Sequence, residues 1–139
     1  MDEYRPILLK VSPDLTYEQL DEIIELILVS GLDGIVATNT TTTRDGLITD
    51  QKIVETIGDG GMSGAPLFER SLDTVSYINK KTSGQLPIIA VGGVMSPIHA
   101  EKMLNAGASL VQIYTAFIYE GPSIVSKINR YLSKQYKNA

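Results

Sequence analysis

The sequence predicts an α/β fold built on a parallel sheet, and three observations carry that prediction. Short apolar runs alternate with amphipathic stretches four times along the 139 residues. Each run is too short for a helix and too continuous for a strand with one wet face, so each reads as a strand covered on both sides. The segments between them are long enough for helices, and strand–helix–strand connections bring successive strands parallel through right-handed crossovers.

The first strand is Ile7-Leu8-Leu9 with Val11, entered through Pro6 and closed by Ser12-Pro13-Asp14. Thr16 followed by Gln19 predicts a capping box, in which side chains and backbone satisfy each other's free groups at a helix start. Leu20, Ile23, Ile24, Ile27 and Leu28 then fall at i, i+3, i+4, i+7 and i+8, one apolar stripe on a helix of about four turns. Gly31 stands where a helix C-terminal glycine belongs. Gly34-Ile35-Val36-Ala37-Thr38 is the second strand. A polar stretch over residues 39–64 follows, with a short helix expected near Gln51–Ile57.

Leu72, Val75 and Ile78 mark the next helix, which should end near Gly84. Pro87-Ile88-Ile89-Ala90-Val91 is the third strand and runs directly into Gly92-Gly93. Ser96-Pro97 is a cap followed by a first-turn proline, with Ile98, Met103 and Leu104 as apolar contacts and Gly107 beyond. Leu110-Val111-Gln112-Ile113-Tyr114 is the fourth strand. Gly121-Pro122 opens the last helix, with Ile124, Val125, Ile128 and Leu132 on one side.

Two architectures fit four such units: an open doubly wound sheet and half of an eight-stranded barrel. A complete barrel needs about 250 residues, and 139 is a little over half of that. The half-barrel is the reading adopted, as a single domain over residues 1–139.

Composition removes several function classes. With 43% hydrophobic and 20% charged residues, the chain is not of the disordered type. Twelve Lys and Arg against sixteen Asp and Glu give a net charge of −4, which excludes a broadly basic nucleic-acid binder but leaves room for a local anion pocket. The absence of cysteine excludes disulfides, thiolate metal sites and cysteine nucleophiles. No apolar run approaches about 18 residues, and the start, Met-Asp-Glu-Tyr-Arg, is too polar for a signal peptide. An intracellular, soluble chain is expected.

In parallel α/β folds the working groups lie at the C-terminal ends of the strands. Read in order, those ends are Lys10, Thr38-Asn39-Thr40, Gly92-Gly93 and Tyr114-Thr115, joined by the loop Gly60-Gly61-Met62-Ser63-Gly64. A lysine ending an apolar run is either a snorkelling strand-end residue or a fixed positive charge beside an anionic ligand. Asn39 can both donate and accept, which suits a planar heterocycle bearing a carboxylate. Gly92-Gly93 is expected to let the backbone approach a ligand and direct N–H groups at phosphate. With Tyr114-Thr115 on the next strand, it matches the phosphate site that barrels place after their last two strands. His99, the single histidine, falls in the first turn of a surface helix and is a poor candidate for a metal or triad role. Gly92-Gly93-Val94 lacks the spacing of a dinucleotide fingerprint, and no P-loop is present.

Five segments together resemble the dihydroorotate dehydrogenase family: Leu9-Lys10-Val11-Ser12-Pro13-Asp14-Leu15, Ala37-Thr38-Asn39-Thr40-Thr41, Gly61-Met62-Ser63-Gly64-Ala65-Pro66-Leu67, Ile89-Ala90-Val91-Gly92-Gly93-Val94, and Ala106 through Thr115. The Thr-Asn-Thr-Thr string, the Ser-Gly-x-Pro-Leu loop and the Gln-Ile-Tyr-Thr end resemble class 2, the quinone-linked branch, more than the soluble class 1 enzymes. The resemblance implies the C-terminal half of a TIM (β/α)8 barrel that binds FMN and oxidises dihydroorotate to orotate in pyrimidine biosynthesis, with quinone as acceptor. By the same resemblance Lys10 lies against the flavin ring, Thr38 contacts FMN, and Asn39 and Thr40 bind orotate. Ser63, Gly64, Gly92 and Gly93 contact FMN, and Tyr114 and Thr115 hold its phosphate. The family's base is a serine that no residue here matches, so no catalytic residue is assigned. The resemblance also implies that the whole enzyme is peripheral on the cytoplasmic side of the inner membrane if bacterial, through an N-terminal segment not matched here.

Two other readings stay open on the sequence: a non-enzymatic half-barrel that takes at most a phosphate-bearing ligand, and another FMN barrel such as class 1. A half-barrel also leaves its first and last strands as open edges and its inner face wet. Association as a homodimer, or with the other half of a barrel, is therefore expected.

Overall fold

A computed structural model describes residues 4–137. Most of the polar start read above lies outside them. The strands are β1 (Leu8–Val11), β2 (Gly34–Ala37), β3 (Ile88–Val91) and β4 (Leu110–Gln112), all parallel and in the order β1-β2-β3-β4. This order decides between the two architectures. A doubly wound sheet reverses its strand order at a switch point, whereas here every strand pairs with the next in sequence, as in a barrel wall.

Strand alternation divides the sheet into two faces. The Cα register aligns Leu9, Ile35 and Ile88, and one step on Val11, Ala37, Ala90 and Val111. These side chains belong to the core or pack against it. The intervening row is Lys10, Val36, Ile89 and Leu110, in which the two end residues are exposed and the middle two half-buried. One face is therefore sealed by helices, and the other is the concave side of a half-barrel.

Helix α1 (Tyr17–Ser30) starts at the capping box read from the sequence: Thr16 Oγ1 accepts from the Gln19 amide at 3.3 Å, and Gln19 Oε1 accepts from the Thr16 amide at 3.0 Å. Gly31 ends it in the left-handed conformation, φ +70°. Leu20, Ile24 and Ile27 are buried, but Leu28 is exposed, contrary to the expected stripe. At about 100° per residue, Leu28 lies some 40° past Ile24 on the side away from Ile27, outside the arc that meets the sheet.

Helix α2 (Gln51–Ile57) has the expected bounds and lies within the long loop, which an antiparallel bridge between Thr41 and Met62 closes. A 3-10 turn (Ala65–Leu67) leads into α3 (Phe68–Lys81), and α4 (Pro97–Asn105) begins at Ser96, whose side chain accepts from the His99 amide. Met103 is buried, whereas Ile98 faces solvent rather than the core. The chain ends in α5 (Thr115–Glu120) and α6 (Ser123–Lys137). Ile124 and Ile128 of α6 are buried, but Val125 is exposed, one residue off the inward arc.

Three further contacts tie α1 to α3. Tyr77 stacks on Tyr17 at 4.2 Å and donates to Asp21, which also pairs with Lys81 at 2.6 Å. Among the described residues, no buried side-chain nitrogen or oxygen lacks a hydrogen-bond partner, and no helix is long and apolar enough to cross a membrane.

Candidate active site

The strands end on one side of the sheet, and their C-terminal ends surround a cleft of about 340 Å³. That is at the small end of the roughly 300–1,000 Å³ usual for small-molecule sites. All ten residues singled out in the sequence line it: Lys10, Thr38, Asn39, Thr40, Ser63, Gly64, Gly92, Gly93, Tyr114 and Thr115. They come from four strand ends and one loop, and only the winding of the sheet brings them together.

The cleft's two ends differ chemically. Lys10, on the inward row of β1, places a cation at one edge. Beside it, Asn39 is exposed and its Oδ1 accepts from the Thr40 amide at 2.9 Å. Thr38 is buried, and its hydroxyl meets Ser71 Oγ of α3 at 2.8 Å, the Asn39 carbonyl at 3.0 Å and the Val91 carbonyl at 3.4 Å. At the other edge Thr115 donates to Ser63 Oγ at 3.0 Å, joining the long loop to α5. A Cβ on Gly64, φ +89°, would come within 3.2 Å of Thr115 Cγ2, so this closure requires a glycine there.

Gly92 and Gly93 line the cleft, and packing behind it also demands glycine at both positions. A Cβ on Gly92 would lie 2.2 Å from Ser71 Oγ, and one on Gly93 would lie 2.4 Å from the Phe68 backbone nitrogen. Both added Cβ atoms would run into α3. The pair is glycine because β3 must turn through positive φ, +124° and +68°, hard against the start of α3. Their main chain reaches the cleft as a result of that packing. Tyr114 and Thr115 also lie beyond their expected strand, since β4 ends at Gln112 and Thr115 opens α5.

Leu67, Val91, Val94, Met95, Gln112 and Ile113 also line the cleft and were not singled out in the sequence. Gln112 and Val91 share the register row one step beyond the Lys10 side, a position that strict alternation along β4 identifies. His99 stacks on Phe68 at 3.9 Å, with Nδ1 3.3 Å from both the Met95 amide and the Gly93 carbonyl. It braces the Gly92-Gly93 turn from behind. Among the described residues no three His, Cys, Asp or Glu side chains group as metal ligands.

Asp14 organises the loop carrying Asn39 and Thr40 without lining the cleft. Its carboxylate accepts from Thr41 Oγ1 at 2.5 Å, the Thr42 amide at 2.7 Å and Thr42 Oγ1 at 2.8 Å. Desolvation pushes its pKa up, but the bonds from Thr41 and Thr42 and the charge of Arg70 outweigh it and hold the group below the usual aspartate value. A depressed carboxylate stabilises the fold at neutral pH and loses that contribution as pH falls through its folded pKa.

The sequence profile of the dihydroorotate dehydrogenase family matches residues 2–135. The chain belongs to that family. It is 49% identical over 93% of its length to the dihydroorotate dehydrogenase (quinone) of Arthrobacter sp. strain FB24, and 47% identical over 91% to that of Christiangramia forsetii. In each case the match covers 36% of the relative, so the chain spans about a third of the length of these enzymes. Among solved structures, the ligand-free enzyme of Eimeria tenella superposes with a TM-score of 0.82 at 39% identity, covering 90% of this chain and 34% of that one. The Eimeria enzyme in complex with ferulenol gives 0.81 at 37% identity, over 94% of this chain and 34% of that one.

Proposed function

We propose that this chain provides the FMN-binding cleft and part of the orotate site of a quinone-linked dihydroorotate dehydrogenase, whose whole protein oxidises dihydroorotate to orotate in pyrimidine biosynthesis. The observation carrying this reading is that all ten candidate residues, scattered from position 10 to 115, line one cleft in a chain of this family.

The donor set suits FMN. Four parallel strand ends at about 4.8 Å spacing give a groove roughly 14 Å long, with a cation at one end and hydroxyls and glycine backbone at the other. When bound, the flavin supplies the acceptor for the hydride and so the oxidising power. Lys10 sets a positive potential where negative charge develops on reduction, an effect strongest where water is excluded. Asn39 and Thr40 offer donors and an acceptor to the orotate ring and its carboxylate. Ser63, Gly64, Gly92 and Gly93 would contact FMN, and Tyr114 and Thr115 would hold its phosphate. The proton acceptor comes from elsewhere in the whole protein.

Purified protein should be yellow, with flavin absorbance that survives gel filtration and is restored by added FMN. Colourless protein that cannot be reconstituted would instead favour a non-enzymatic half-barrel. A related expectation concerns assembly. β1 and β4 are the sheet edges, and Leu110 is 61% exposed on the concave face. Open edges and a wet apolar face favour association, so sedimentation at micromolar concentration should show a dimer. A well-folded monomer would count against it.

A further inference from the structure

Asp14 is the hub of a chain of bonds joining three loops. On one side, Arg70 of α3 donates to the carbonyls of Pro13 and Leu15, at 2.8 and 3.0 Å, and so fixes the turn on which Asp14 sits. On the other, Asp14 takes three hydrogen bonds from Thr41 and Thr42. Thr41 in turn exchanges two backbone bonds with Met62, 3.1 Å from its amide to the Met62 carbonyl and 2.7 Å in return. Thr41 immediately follows Asn39-Thr40, and Met62 immediately precedes Ser63-Gly64. Thr41 is only 4% exposed, so its hydroxyl depends on Asp14 and Thr43 rather than on water.

We propose that Asp14 is a positioning residue: from outside the cleft it locks the Asn39-Thr40 loop to the Met62–Gly64 loop and so sets the affinity for orotate. The proposal rests on the functional reading above for the identity of the ligand, but not for the coupling of the loops. An ionised carboxylate accepts from all three partners together in charge-assisted bonds, whereas an amide of the same shape carries no charge and accepts on one edge only.

The test uses the whole enzyme and this chain, each with Asp14→Asn and Thr41→Val, singly and combined. Hydrogen exchange should quicken at residues 39–43 and 62–64 in Asp14→Asn, with the rest of the chain unchanged. Orotate should bind about tenfold more weakly or worse, as for loss of charge-assisted bonds, while FMN content holds. The two substitutions share the Asp14–Thr41 contact, so the double variant should lose less orotate affinity than the two single losses combined. Unchanged exchange at both loops overturns the proposal whatever binds. Quickened exchange with wild-type orotate affinity overturns the positioning role and leaves Asp14 a structural brace. An unsubstituted enzyme that binds no orotate overturns the functional reading instead, and the loop coupling is then decided by exchange alone.

Discussion

Gly93→Ala should destabilise the protein by about 2–5 kcal/mol, seen as a lower urea midpoint with an unchanged slope. Two costs combine. At φ +68° a residue with a Cβ loses about 1–2 kcal/mol relative to glycine. The new methyl would also sit 2.4 Å from the Phe68 nitrogen and 2.5 Å from its Cα. These are backbone atoms at the first turn of α3, so relief requires shifting a helix that carries Ser71, Thr74, Val75 and Ile78 into the core. Overpacking of that kind costs typically about 1–3 kcal/mol. Gly31→Ala separates the terms: its φ is +70°, but nothing lies within 4 Å of the added Cβ. It should show the backbone cost alone, about 1–2 kcal/mol. A Gly93→Ala protein of normal stability that had lost FMN would return the glycine to the ligand-approach role read from the sequence.

That pair shows where the sequence was legible and where it was not. Gly92-Gly93 announces a special backbone, but the sequence does not say which neighbour demands it. The neighbour, Phe68-Ser71, is more than twenty residues away and meets the turn only after β3 and α3 have packed. Local chemistry was easier to read. Thr16 and Gln19 are three residues apart, so their cap could be read from spacing alone. Helix α5 was left unassigned because Thr115-Ala116-Phe117-Ile118-Tyr119-Glu120 is short and rich in branched and aromatic side chains that favour strands. Burial of Ala116 against the core makes it a helix, a tertiary effect. The cleft was legible for a related reason: in a parallel sheet the position of a strand end fixes which loops meet, once the strands themselves are found. Asp14 escaped notice because its role lies in partners 27 and 28 residues away.

Lys10→Ala should leave the fold nearly unchanged and lower flavin reduction in the whole enzyme by about a hundredfold to a thousandfold, the usual cost of deleting one preorganised electrostatic partner. The fold should tolerate it because Lys10 is exposed on the concave face of an edge strand, where substitutions change stability by about 0.5 kcal/mol or less. Its register partners are Val36 and, through the sheet, Ile89 and Leu110, all apolar. A snorkelling lysine would be replaceable by any polar residue, so Lys10→Gln discriminates: it keeps most of the stem and loses the charge. Under the electrostatic role, Gln should be nearly as slow as Ala and the flavin potential should fall in both, because the reduced, more negative form loses its counter-charge. Lys10→Arg retains the charge on a broader, planar head and should recover part of the rate. If the Ala and Gln variants keep wild-type flavin potential, FMN affinity and reduction rate, Lys10 is a solvated strand-end residue, and the charge that stabilises reduced flavin must come from another group.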